Sequence, residues 1–371
     1  MGGTGGRLAA AAGPLPEPRW LAREHPCRVL VIGDPIADLW VYGVPRRISR
    51  EAPVLILEYQ RQVVMPGGAA HCARSVAALG GAATLAGPVG DDPWGRELAA
   101  RLQAAGVELV PPAPRPGWRT PLKVRFVAAP KAAPAQQVLR LDVTPGAGEP
   151  GPFPLPAPGA GQVPAGDGVA ACAVPPEAEE GWLDPLQAAV RAADAIVIAD
   201  YGLTDLAARL WPRLRRWAGS RPVVVDSRHR VLTFRGATVA TPNVEELAEA
   251  WGGPLDGSDD LVRAAGALLA EGEFAAVVVT RGPEGMTVVR PGRPALHVPA
   301  VHPAAVYDVT GAGDTVAAAF ALALGAGLDV EEAARLANLA GSLAVRKPGT
   351  EPVTAAELVE ARAAWDGGGP A

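Results

Sequence analysis

Arg28-Val-Leu-Val-Ile-Gly-Asp34 is a short apolar run with β-branched residues, closed by Gly-Asp. It reads as a buried strand. Three further runs share the pattern: 195–200 (AIVIAD), 222–226 (PVVVD) and 275–280 (AAVVVT). Helical patterns lie among them at 68–80, 93–105, 184–193, 204–217, 243–251 and 258–271. Strands that are apolar throughout and alternate with helices predict a mostly parallel sheet covered on both faces. The runs at 28–33, 195–200 and 222–226 each meet an Asp at or just beyond the C-terminal end. Ligands bind along that edge of open α/β sheets; a loop or helix cap is the competing reading for each Asp.

Two stretches break the rhythm. Residues 38–66 and 119–143 are strand-like with no helix between their runs. They predict a small antiparallel unit, placed as a lid over the site. Residues 144–181 are dominated by Pro, Gly and Ala. Such a segment buries too little apolar surface to offset its ordering entropy, so a disordered insertion is expected. Residues 1–26 and 366–371 read as flexible tails around one domain spanning 27–365.

Composition excludes several classes. The 371 residues are 49% hydrophobic and 20% charged, with a net charge of −5, which argues against a nucleic-acid binder. Cys27, Cys72 and Cys172 stand far apart, in no metal-ligand spacing, which fits a reducing cytoplasm rather than a disulfide scaffold. No signal-peptide pattern opens the chain, and no apolar run reaches the roughly 18 residues of a membrane span.

The strongest local signal is Thr310-Gly-Ala-Gly-Asp-Thr315, ahead of a small-residue helix expected at 316–326. Gly311 and Gly313 permit tight turns and close approach to a ligand. The N–H groups of a first helical turn attract an anion, and the helix dipole adds to that attraction. Asp314 could be a plain N-cap, or could reach a hydroxyl beside a bound phosphate. Phosphoryl transfer needs both parts: donors for the moving group and a carboxylate for the nucleophile. The P-loop pattern and the protein-kinase signatures are absent.

Several ordered segments resemble the PfkB/ribokinase-type carbohydrate kinases, and among them the heptose-7-phosphate kinases. They are Val31–Asp38, Trp40–Gly43, Arg47–Val54, Pro66–Ala70, Arg140–Asp142, Ala199–Tyr201, Thr241–Glu246, Val279–Gly282 and Tyr307–Thr315. The resemblance covers roughly residues 27–363. It implies a ribokinase-like three-layer α/β/α sandwich with a β-sheet lid, and a cytoplasmic enzyme using ATP and Mg²⁺. It implies Asp314 as general base, with Gly311, Ala312 and Gly313 forming the anion hole. Asn243 and Glu246 would position Mg²⁺ and the ATP phosphates through water; a capping box is the alternative for this pair. Thr280, Arg281, Gly282 and Asn338 would border the nucleotide. Asp38, Gly67, Gly68, His71, Arg140 and Asp200 would serve the sugar, and Asp308 a monovalent cation, K⁺. A homodimer through the lid is the implied partner arrangement.

The chain departs from the family pattern at the sugar end. His71 stands where Asn is usual, offering one donor and one acceptor on a bulkier ring. Leu203 replaces a Lys, and Arg228 stands near where another Lys would be. The expected activity is ATP-dependent phosphorylation of a sugar or sugar phosphate, foremost the anomeric hydroxyl of heptose 7-phosphate. Another sugar or nucleoside kinase is the first alternative, and a nucleotide-binding regulatory protein without turnover the second. Because the chain ends soon after residue 365, only the kinase half of the two-domain heptose enzymes is expected.

Overall fold

The computed structural model describes residues 9–10, 14–110, 118–130, 135–144, 176–301 and 307–365. Its strands, in chain order, are β1 (Ala9–Ala10), β2 (Arg28–Gly33), β3 (Pro35–Ile48), β4 (Leu55–Gly68), β5 (Ala82–Ala86), β6 (Glu108–Leu109) and β7 (Leu122–Ala128). There follow β8 (Gln136–Val143), β9 (Ala195–Asp200), β10 (Val223–Ser227), β11 (Val239–Ala240), β12 (Ala276–Thr280), β13 (Met286–Val289) and β14 (Leu296–Val298). The helices are α1 (Ala69–Ala78), α2 (Pro93–Ala104), α3 (Pro176–Ala192), α4 (Leu206–Ala218), α5 (Val244–Trp251), α6 (Ser258–Glu271), α7 (Ala312–Gly325), α8 (Val330–Ala344) and α9 (Ala355–Ala364).

Ten strands form the main sheet, in the order β1-β14-β13-β12-β11-β10-β9-β2-β5-β6. Within it, among the described residues, only β12–β13 and β13–β14 pair antiparallel. The period-2 pleat sorts the apolar side chains to two faces. Val29, Val31 and Val197 join a core with α1, α7 and α8, while Leu30, Ile32, Ile196 and Ile198 join one with α3, α4 and α6. This is the expected α/β/α sandwich. Among the described residues no helix is long and apolar enough to cross a membrane.

The second sheet has four strands, ordered β4-β3-β7-β8. Its centre departs from expectation: β3 and β7 run parallel, so the unit is not wholly antiparallel. The cause is connectivity, because α1, β5, α2 and β6 intervene between β4 and β7 and return the chain in β3's direction.

Four short strands escaped the sequence: β1, β5, β6 and β11. β5 is Ala-Ala-Thr-Leu-Ala, with one β-branched residue, and the other three have two residues each. The expected insertion at 144–181 lies largely outside the described residues, but 176–181 already belong to α3. The N-terminal tail also needs correcting where it is described. Trp20 is 1% exposed, and its indole N–H donates to the Leu79 carbonyl at 2.8 Å. Trp20→Phe should therefore cost about 1–2 kcal/mol, because a buried carbonyl loses its donor. A urea midpoint unchanged from wild type would show that the segment does not contribute.

Candidate active site

Strands β2, β9 and β10 are mutually parallel, so Asp34, Asp200 and Asp226 collect at one edge of the sheet. Asp34 organises the loop beyond β9. It accepts the N–H groups of Tyr201 at 3.0 Å and Leu203 at 3.1 Å, and the Thr204 hydroxyl at 2.6 Å. Burial nevertheless pushes its carboxyl up to about 6. Asp200 is held by the Arg230 guanidinium, by the Ser227 hydroxyl at 2.7 Å and by the Gly202 N–H at 3.3 Å. Its oxygens are thus engaged, and it braces the loop rather than offering a free carboxylate.

The helix expected at 316–326 begins earlier, at Ala312, so Ala312, Gly313 and Asp314 form its first turn. Gly311 is the N-cap, with φ 76°, in the left-handed region that glycine reaches without strain. Its carbonyl accepts the Thr315 N–H at 3.0 Å. The first-turn N–H groups carry the positive end of the helix dipole. Asp308 shapes the approach, accepting Thr310 N–H at 2.9 Å and Gly349 N–H at 3.0 Å. That donor set suits a loop brace, since N–H dipoles compete with a cation, and it does not favour the expected K⁺ role.

Asp314 is 3% exposed and accepts the Tyr201 hydroxyl at 2.9 Å. Burial pushes its carboxyl up to about 7, opposed by the Tyr201 hydrogen bond and the charges of Lys123 and Arg228. A base poised near neutrality is suited to accepting a hydroxyl proton. Asp226 is raised well above the carboxylate range by burial, then by the charges of Asp314 and Glu246. Glu246 is raised by burial against its hydrogen bond from the Asn243 N–H. Crowded carboxylates of this kind favour a cation between them. Among the described residues, no three His, Cys, Asp or Glu side chains could jointly hold a metal ion directly. Binding through water and phosphate oxygens, the usual habit of Mg²⁺, is the mode these residues fit.

Two cavities meet here. The first, about 340 Å³, is lined by Asp200, Tyr201, Asp226, Arg228, Asn243, Glu246, Thr280, Gly311, Gly313 and Asp314, among others. The second, about 360 Å³ and more apolar, includes Gly282, Met286, Ala312, Val316, Asn338 and Val345. Asn243, Thr280, Val309 and Gly313 line both. Asn243 and Glu246 also form the capping box of α5: the Asn243 side chain accepts Glu246 N–H at 2.8 Å, and the Glu246 side chain accepts Asn243 N–H at 2.9 Å. The capping-box reading of this pair therefore holds, and the same two residues line the first cavity. The Asn338 amide donates to the Pro299 carbonyl at 2.7 Å.

Other expected residues lie off these walls. Arg281 pairs with Glu284 and donates to the Thr287 hydroxyl at 3.3 Å, and it lines neither cavity. Asp38, 2% exposed, pairs with the lid's Arg125 at 2.8 Å and lies against Gly67. Gly68, at φ 56°, passes so close that a Cβ there would sit 2.7 Å from the Asp34 carbonyl. Arg140 is exposed on β8, paired with Asp142. His71 is buried behind the loop: a Cβ on Gly311 would meet its Nε2 and Cδ2 at 2.5 Å. Burial holds its imidazole neutral, with the pKa down to about 3. Its bulk therefore bears on the Gly311 loop, and it lines neither cavity described above.

The sequence reading assigned no role to Tyr201, Asp226, Lys123 or Asp34. Asp34 and Asp226 had a signal, as carboxylates at strand ends. Tyr201 closes the Ala199–Tyr201 segment that carries the resemblance, but neither it nor Lys123 had a signal of its own.

A family model described as pfkB family carbohydrate kinase matches residues 28–130 and 172–356. The bifunctional protein HldE of Caulobacter sp. (strain K31) is 40% identical over 339 residues, covering 89% of this chain and 62% of that protein. HldE of Chromohalobacter salexigens is 37% identical over 335 residues, covering 90% and 63%. This chain thus spans just under two thirds of these relatives' length. Among solved structures, Arabidopsis thaliana ribokinase complexed with ribose and ATP superposes with TM-score 0.64 at 20% identity, covering 91% of this chain and 99% of that one. Phosphofructokinase-2 from Escherichia coli, in complex with substrates and products, gives 0.67 at 22% over the same shares. At those identities the likeness speaks to the fold.

Proposed function

This chain belongs to the pfkB family of carbohydrate kinases, and on that premise we propose that it moves the γ-phosphoryl group of ATP to the anomeric hydroxyl of heptose 7-phosphate. The observation that carries the reaction type is Asp314: a buried carboxylate in the first turn of α7, at the wall of the first cavity and beside Gly313, which lines both. The identity to the HldE proteins, 37–40% over about nine-tenths of this chain, supports the choice of sugar phosphate.

The second, more apolar cavity suits the adenine and ribose, with Gly282 and Asn338 at its wall. The phosphates then run past Asn243 and Thr280 toward Gly311–Gly313. Asp314 accepts the proton of the attacking hydroxyl as its oxygen forms the new bond to phosphorus. The bond from the γ-phosphorus to the β–γ bridging oxygen breaks, and ADP leaves with that electron pair. First-turn N–H groups at Gly311–Gly313 face the charge on the group in transit. Mg²⁺ bound with ATP would offset phosphate charge, held through water by Asn243 and Glu246. At the other end, Asp38 with Gly67 and Gly68 offers the sugar hydroxyls a carboxylate already oriented by Arg125. Closure of the lid would exclude water and suppress ATP hydrolysis. The lid also exposes Ile48, Leu55, Tyr59, Leu139 and Leu141. That apolar surface supports pairing of two copies through the lid.

The test is a phosphorylation panel of heptose 7-phosphate, ribose, fructose 1-phosphate and adenosine with ATP and Mg²⁺. Heptose 7-phosphate should give the highest kcat/KM by at least about tenfold, the discrimination that one lost polar contact provides. A higher value for another acceptor would transfer the assignment to that acceptor. ATP binding with turnover on none would favour a regulatory protein.

A further inference from the structure

Tyr201 is the side chain nearest the chemistry that the reaction above does not use. Its hydroxyl donates to Asp314 Oδ1 at 2.9 Å, and its backbone N–H donates to Asp34 Oδ2 at 3.0 Å. Asp34 is 1% exposed and follows β2 directly, so the tyrosine is anchored to the centre of the sheet. Two cations from different elements flank the ring. Lys123, on the lid strand β7, places its ammonium 5.2 Å from the ring centroid; Arg228, beyond β10, places its guanidinium at 5.5 Å.

We propose that Tyr201 is a positioning residue for the transfer reaction, holding one oxygen of Asp314 so that the other faces the acceptor hydroxyl, and tying that base to the lid through Lys123. The inference rests on the reading of Asp314 as base. A carboxylate with one oxygen fixed by a donor keeps a defined rotamer, and its free oxygen keeps a defined direction. A phenol serves this better than a second charge, because it donates one hydrogen bond and takes no proton from the substrate. Burial, then the charges of Asp314 and Asp226, push the Tyr201 phenol well above its ordinary range, so it remains a donor. The groups facing Asp314 are Tyr201 from the loop after β9, Asp226 from β10, Arg228 beyond it, Lys123 from the lid and the Cys72 thiol from α1. Of these, among the described residues, Tyr201 alone donates a side-chain hydrogen bond to the carboxylate.

Tyr201→Phe tests this, since it keeps the ring between the two cations and removes only the hydroxyl. The expected result is a fall in kcat of roughly 10- to 100-fold with KM for ATP within about twofold, the pattern of an interaction that acts in the transition state. The acid limb of the kcat–pH profile, near pH 7 in the wild type, should move to higher pH. The sign follows from the lost donor, which favoured the ionised form of Asp314. In an Asp314→Asn background the same substitution should cost nothing further. A ¹³C titration of the Asp314 carboxyl in the ligand-free protein, assigned by its absence in Asp314→Asn, reads the same shift without turnover. A normal kcat and unmoved acid limb in Tyr201→Phe, with Asp314→Asn inactive, overturn the role of Tyr201 alone. Full activity in Asp314→Asn instead removes the base reading beneath it.

Discussion

Asp314→Asn is expected to lower kcat by roughly 10²- to 10⁴-fold, the range spanned by a positioned general base. Asn has nearly the same shape, and its carbonyl can still accept the Tyr201 hydroxyl, now bonded to Asp314 at 2.9 Å. What disappears is the capacity to take a proton. Folding should not suffer. The native carboxyl is 3% exposed, and its charge is disfavoured enough by burial that its pKa stands at about 7. A neutral amide avoids that desolvation cost. ATP affinity should stay level or tighten slightly, because Asp226 and the phosphates lose a repelling neighbour. Steady-state kcat with calorimetric ATP affinity separates these effects. A kcat within about tenfold of wild type, below the usual contribution of such a base, would leave Asp314 as a helix-terminus residue and nothing more.

That outcome bears on what the sequence could reveal. Strands β2 and β9 were legible to the residue because their runs are apolar throughout and end on Asp. β11, at two residues, leaves no periodic trace. The proposed phosphate end was legible because it is local: Gly311, Gly313 and Asp314 lie in the geometry of one turn. The partner of Asp38 was not, because it comes from a distant segment. Asp38 meets Arg125 across the β3–β7 pair, 87 residues apart in the chain, and only the parallel register, which sets Asp38 opposite Lys123 and Arg125 opposite Trp40, makes them diagonal neighbours. Tyr201 illustrates the same limit, since its bond to Asp314 spans 113 residues. His71 illustrates the reverse. A change from the usual Asn in a sugar-binding turn suggested altered substrate contacts, whereas burial directs the imidazole onto the Gly311 loop.

That contact makes Gly311 the second position where a small change should have a large effect. Gly311→Ala meets two obstacles. At φ 76° an L-residue pays left-handed strain of roughly 1–2 kcal/mol. The new methyl would also lie 2.5 Å from His71 Nε2 and Cδ2 and 3.3 Å from Thr350 Cγ2. His71 cannot swing clear, being 1% exposed on α1, which packs against α7. The loop must yield instead, and it carries the first-turn N–H groups proposed to face the transferring phosphoryl. A misplacement of about 1 Å at a reacting centre costs on the order of 10²-fold. Gly311→Ala should therefore lower kcat by about 10²-fold or more, with KM for the acceptor changed far less, since the sugar contacts proposed at Asp38 and Gly67 lie elsewhere. Removing the imidazole distinguishes clash from strain. In the double variant with His71→Ala the collision is gone while the positive φ remains, so roughly tenfold of the lost kcat should return, worth about 1.4 kcal/mol. Recovery would show that the residue at 71 governs the anion hole by its volume. A double variant no more active than Gly311→Ala alone would place the whole effect in backbone strain and free His71 from any part in shaping the loop.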